Sequence, residues 1–178
     1  MKTGKLLCLL GGIITLIATF FFAWFFVDEG GNQFYGHGLG VLFSLPQTFG
    51  NAETIALSWG SGVPTFAIYI VGGMLIVFLF SWLLILLGLK NRVVPIIGGL
   101  IIVGIAMAMT FGPFSTPPNI LDYTSLFSSE AWGVFPFNIP IGPTGPTVGG
   151  GLAGISLGTY LLMGGGALGI IGGFLPRD

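Results

Sequence analysis

Charge is what this sequence has least of: five Lys and Arg, six Asp and Glu and one His in 178 residues, or 6% charged against 53% hydrophobic. A soluble domain coats its surface with about 25% charged residues, so a water-facing globule is excluded. A nucleic-acid binder needs a basic face, and none is available. Disorder fails for the opposite reason, because disordered chains are poor in apolar residues. What remains is an integral membrane protein, whose first partner is the lipid bilayer.

Reactive groups are equally scarce. The single cysteine, Cys8, lies in the first apolar run and cannot staple a loop, so it reads as a buried structural thiol. The single histidine, His37, is flanked by Gly36 and Gly38, with Asp28, Glu29 and Glu53 in the same connection. A metal site needs three or four convergent ligands, so His37 reads as a solvated or hydrogen-bonded loop residue, and no metal or cofactor is expected. Met107 and Met109, two apart on a helix, point to different faces and do not form a copper site. The nucleophile elbow, phosphate loop, metalloprotease helix and haem-attachment motifs are all missing. The expectation is a protein that is not an enzyme.

Turning to what is present, four uncharged apolar runs are long enough to cross a bilayer: 6–27, 67–89, 93–111 and 148–175. The last follows a Gly- and Pro-rich stretch, which puts its helical start near Gly150 or Gly151. The pattern predicts an all-α membrane protein in which residues 1–178 form one transmembrane domain of four helices, 6–27, 67–89, 93–111 and 150–175. They make two hairpins, with long outer loops at 28–66 and 112–147. The first run is longer than a signal-peptide core and has no small-x-small site at its end, so it reads as an uncleaved anchor. Every basic residue falls on one side: Lys2 and Lys5, then Lys90 and Arg92, then Arg177. The positive-inside rule therefore predicts a multi-pass cell-membrane protein with both termini cytoplasmic.

The two long loops carry five acidic residues, no Lys or Arg, and many aromatics. Residues 40–45 and 54–59 are candidate short strands in the first, while seven prolines in the second predict irregular chain. Some aromatics suit an interfacial belt. Trp59, Trp132, Phe135 and Phe137 are the candidate anchors of a contact surface for other subunits, because buried aromatics dominate interface energetics.

Glycine is abundant, with 32 residues. Gly150, Gly154, Gly158, Gly165, Gly169 and Gly173 fall within an arc of about 140° on a helix, the pattern of a glycine zipper. Such a face lets backbones approach closely, and it serves either packing against helix 1 or 3 within the chain or a seam between copies. Gly164-Gly165-Gly166 could instead mark an unwound segment. Lys5 precedes Gly11-Gly12 by the same six residues by which Arg92 precedes Gly98-Gly99, a hint of a duplicated hairpin. Four helices with a long first outer loop and a short inner turn are similar in topology to tetraspan families such as the claudins. Trp59 has no loop cysteines after it, so no claudin residue or function is carried over. No ionisable residue lies within a span, which argues against a pump or coupled transporter. The expected function is a non-catalytic structural or accessory subunit, assembling with itself or with other membrane subunits through glycine faces and apolar outer loops. The alternative is a passive pore or small-molecule carrier.

Overall fold

The computed structural model describes residues 2–29, 32–60, 62–111, 137–146 and 152–176. Among these the chain is mostly helical: α1 (Thr3–Phe21), α2 (Gly38–Gly50), α3 (Ala52–Trp59), α4 (Thr65–Leu87), α5 (Val93–Phe111) and α6 (Leu157–Phe174). Four strands accompany them, β1 (Phe25–Glu29), β2 (Asn32–Gly36), β3 (Pro140–Pro146) and β4 (Leu152–Ser156). α1, α4 and α6 are long and apolar enough to cross a membrane, and within α5 the described side chains form a shorter apolar stretch, Val93–Ala108.

The long helices form a ring in which α6 packs most extensively on α1 and α5, and α4 packs on α5 and α1. Exposed positions on all four are apolar, among them Leu10 and Ile17 on α1, Met74 and Val77 on α4, Leu100 on α5 and Ile171 on α6. Their polarity is therefore inverted relative to helices that face water.

α1 ends six residues short of the apolar run that contains it. At Phe22 the backbone turns extended (φ −111°, ψ 143°), and Phe25–Glu29 becomes a strand. Phe25-Phe26-Val27 is as apolar as the helix before it but favours the pleated conformation, so hydropathy cannot see the change. Trp24 makes the junction: its indole N–H donates to the Ala18 carbonyl at 3.1 Å, satisfying one of the helix's last free carbonyls, and its ring meets Phe78 of α4 edge-on at 5.1 Å. β1 pairs antiparallel with β2, Phe25 opposite Gly36 and Glu29 opposite Asn32.

The same change of structure occurs at the other end of the chain. The last helix begins at Leu157 rather than near Gly150, because residues 152–156 are strand β4, paired antiparallel with β1. The sheet order is β2-β1-β4-β3, so its two central strands come from opposite ends of the sequence. α1 and α6 lie side by side and pass together into β1 and β4, with the Ser156 N–H donating to the Trp24 carbonyl at 2.9 Å and the Gly158 N–H to the Ala23 carbonyl at 3.0 Å. The third strand, β3, crosses a stretch with three prolines that was expected to be irregular, and it sits at the sheet edge, where missing N–H donors are tolerated.

The strands expected at 40–45 and 54–59 are helices α2 and α3. α2 buries Val41, Ser44 and Thr48, and α3 buries Ala52, Ile55 and Ala56. Those spacings of three and four are helical, and they override the short alternation of apolar and polar residues.

Candidate functional site

With Lys5, in the first turn of α1, the sole charged residue in the four long helices, the positions that decide the bundle's shape are the small residues between helices. Gly4, Cys8, Gly11 and Thr15 form one buried edge of α1, at alternating steps of four and three. Gly165 and Gly172 of α6 face it seven residues apart, and Gly158, seven residues earlier, faces the chain just beyond α1. A Cβ on Gly11 would lie 2.7 Å from the Gly165 carbonyl oxygen, and one on Gly172 would lie 2.7 Å from the Cys8 sulfur. Gly158 packs on the Ala23 carbonyl and Gly165 on Thr15. On the adjacent edge of α6, Gly166 and Gly173 face α5. A Cβ on Gly99 would approach the Gly166 carbonyl oxygen to 2.5 Å, and one on Gly173 would lie 2.9 Å from the Arg92 carbonyl oxygen. Gly169, between the two edges, is covered by the Ile85 side chain of α4. Residues without side chains let the backbones touch, and dispersion accumulates over that contact.

Of the six glycines singled out from the sequence, Gly158, Gly165, Gly169 and Gly173 lie in α6; the last three face other helices of the same chain, and Gly158 faces Phe22 and Ala23 just beyond α1. Gly154 is not on that helix; it lies in β4, opposite Phe26 on one side and Thr144 on the other. Gly150 lies outside the described residues. The glycine face is thus taken up within the chain, and a seam between copies would have to use another surface. α6 runs unbroken through Gly164-Gly165-Gly166, so no unwound segment forms there. Sequence reasoning missed Gly172 and Gly166 because it followed a period of four. The informative period is seven, the repeat of two helices crossing at a shallow angle.

The two glycine pairs play matching parts. Gly11 faces α6 and Gly12 faces Leu86 of α4, while Gly98 faces Leu84 and Ser81 of α4 and Gly99 faces α6.

The buried hydroxyls are mostly held by main-chain carbonyls. Thr15 donates to Gly11 O at 2.7 Å, Ser81 to Val77 O at 2.7 Å, and Thr159 to Trp24 O at 2.7 Å. The Ser156 hydroxyl pairs with the Asn138 side-chain oxygen at 2.6 Å. His37 is buried rather than solvated: it precedes α2, and its Nδ1 accepts the Gly40 N–H at 3.4 Å. Among the described residues no three His, Cys, Asp or Glu side chains gather as metal ligands would.

Of the candidate interface anchors, Phe137 is 46% exposed, and its backbone is fixed by two bonds to α1's end, Phe137 N–H to Phe21 O at 2.9 Å and Ala23 N–H to Phe137 O at 3.0 Å. Its ring leans on Phe22 at 5.8 Å. Trp59 closes α3 and is partly buried against the core. Trp132 and Phe135 lie outside the described residues. No family model matches the chain, and no match was found among curated proteins or solved structures.

Proposed function

We propose that this chain is a four-span membrane protein with both termini cytoplasmic, acting without catalysis as a structural or accessory subunit of a membrane assembly. The observation that carries the reading is how the bundle interior is filled. Where helices meet, backbone lies on backbone at glycine, and the hydroxyls of Thr15, Ser81 and Thr159 are occupied by carbonyls of the same chain. Among the described residues, such an interior leaves few free polar groups to line a path for a solute. What the chain offers to others is its apolar exterior and the aromatics of its connections, with the exposed Phe137 and the partly buried Trp59 as anchors in the described part. Partners are further copies or other membrane subunits, and no cofactor takes part.

A passive pore or carrier is the second reading. In its favour, the Thr19 and Thr48 hydroxyls and the Trp82 indole N–H are buried with no hydrogen-bond partner among the described residues. Native mass spectrometry from nanodiscs, paired with solute flux into liposomes, separates the two. Complexes without flux support the subunit; a monomer with flux supports the pore.

A further inference from the structure

His37, the chain's single histidine, stands where β2 turns into α2. The junction is level with the outer end of α1: the Trp24 N–H donates to the Gly36 carbonyl at 2.8 Å, and a Cβ on Gly38 would lie 2.6 Å from the Thr19 carbonyl oxygen. The backbone is held on both sides of the histidine, since a Cβ on Gly36 would run into the Phe25 ring and one on Gly38 would also meet Leu79 of α4 at 3.1 Å. Between these fixed points His37 is only 3% exposed.

His37 is also the N-cap of α2. Its backbone is extended (φ −158°, ψ 162°), and its Nδ1 accepts the Gly40 N–H, one of the amides at a helix start that have no carbonyl partner within the helix. An accepting Nδ1 requires a neutral ring with its proton on Nε2. Protonation turns Nδ1 into a donor facing the Gly40 N–H and sets a positive charge against the positive end of the helix dipole. Serine, threonine or asparagine would cap with an oxygen that does not titrate.

Among the described residues no carboxylate is placed to offset that charge. α1 carries Lys5 and Cys8, both in its opposite half, and α4 carries Tyr69, which stacks on Phe49 at the far end of α2. Glu53 is exposed on α3, beyond that far end. In the β1/β2 pair Tyr35 bonds the Gln33 side chain, Asp28 lies opposite Gln33 and accepts from its amide at 3.4 Å, and Glu29 lies opposite Asn32, further still from Gly36. Burial pushes His37 down from its ordinary value near 6.5 to about 4.

We infer that His37 is an acid-sensitive latch: docking of the first turn of α2 on the end of α1 and on Leu79 requires the neutral imidazole, and a proton taken from solvent at Nδ1 releases that turn. A released turn has its ring in water and takes up a proton near 6.5, whereas the docked turn does so only near 4. The docked form is therefore fully favoured above 6.5 and weakens as pH falls between these values, by up to about 300-fold in the docked-to-released ratio at tenfold per pH unit. The far end of α2, where Phe49 packs on Gly72, carries no such group, so the helix loosens from its start.

The test uses the full chain in nanodiscs, with isotope-labelled histidine that gives one imidazole to observe by nitrogen NMR, and with nitroxide on Leu39→Cys in the first turn of α2. The wild-type chain, with its buried Cys8, serves as the labelling blank. At neutral pH the ring is expected as the Nε2–H tautomer. On acidification the ring should gain its proton below 6.5, in one step with a gain in mobility of the Leu39 label. His37→Asn should hold the label rigid throughout, because its amide oxygen accepts the Gly40 N–H and does not titrate. An Nδ1–H tautomer at neutral pH, or a label that stays immobile once the ring is protonated, overturns the latch. Loosening in acid that persists in His37→Asn also overturns it and assigns the change to a carboxylate such as Asp28 or Glu53. If His37→Asn does not fold, the histidine protein decides alone: coincident ring and label midpoints support the latch, and separate midpoints overturn it.

Discussion

The Thr159 hydroxyl donates to the Trp24 carbonyl at 2.7 Å across 135 positions of sequence, at the level where both α1 and α6 give way to strands. That carbonyl also accepts the Ser156 N–H, so the side-chain bond is a second clamp on one oxygen. Thr159→Val keeps the shape and removes the donor. It should lower stability in detergent by about 1 kcal/mol, while Thr159→Ser retains most of it. Unfolding curves for the two variants check this, and equal losses would mean that the methyl group, not the hydroxyl, matters.

The glycines of α6 give a sharper contrast. A Cβ on Gly165 or Gly166 meets neighbouring helices, whereas Gly164 has open space within 4 Å. Gly165→Leu and Gly166→Leu should each cost about 1–3 kcal/mol or more through overpacking, and Gly164→Leu should be close to neutral. Thermal denaturation of the three proteins in one detergent is sufficient. A Gly164→Leu protein as damaged as the others would contradict the packing described.

For orientation, Asn91→Cys lies in the short turn between α4 and α5, beside Lys90 and Arg92. A membrane-impermeant thiol reagent applied from outside whole cells should leave it unmodified and should modify Gln33→Cys. The opposite pattern would invert the proposed topology.

Phe137 is positioned to act on assembly without holding the fold, since its backbone bonds do not depend on its ring. Phe137→Ala should leave the melting temperature within a few degrees of wild type and reduce the assembled fraction in native mass spectra, as loss of an interface aromatic does. Unchanged spectra would move the contact surface elsewhere.

Sequence patterns were informative where a segment's state depends on its neighbours in the chain. α5 occupies Val93–Phe111 as expected, and α4 is displaced by two residues from 67–89. They fail where partners are distant. Nothing local in Phe25–Glu29 announces pairing with Leu152–Ser156, so the sheet was invisible and the first and last helices were drawn too long. α2 was misread because its buried residues, Val41, Ser44 and Thr48, include two polar ones; they pack inward on helices while Leu39 and Phe43 stay outside.

The pairing of β1 with β4, and of α1 with α6, also governs when the molecule can be finished. Until β4 and α6 have been synthesised, Gly11 of α1 and Gly99 of α5 have no backbone to lie against, and β1 has only β2 as a partner. Contacts that join distant parts of a chain are slow to form because the intervening loop must be ordered first. Insertion of the first helices is therefore a waiting stage. A chain interrupted before Leu152 would expose two bare glycine grooves and a strand lacking its second partner to the surveillance machinery of the membrane.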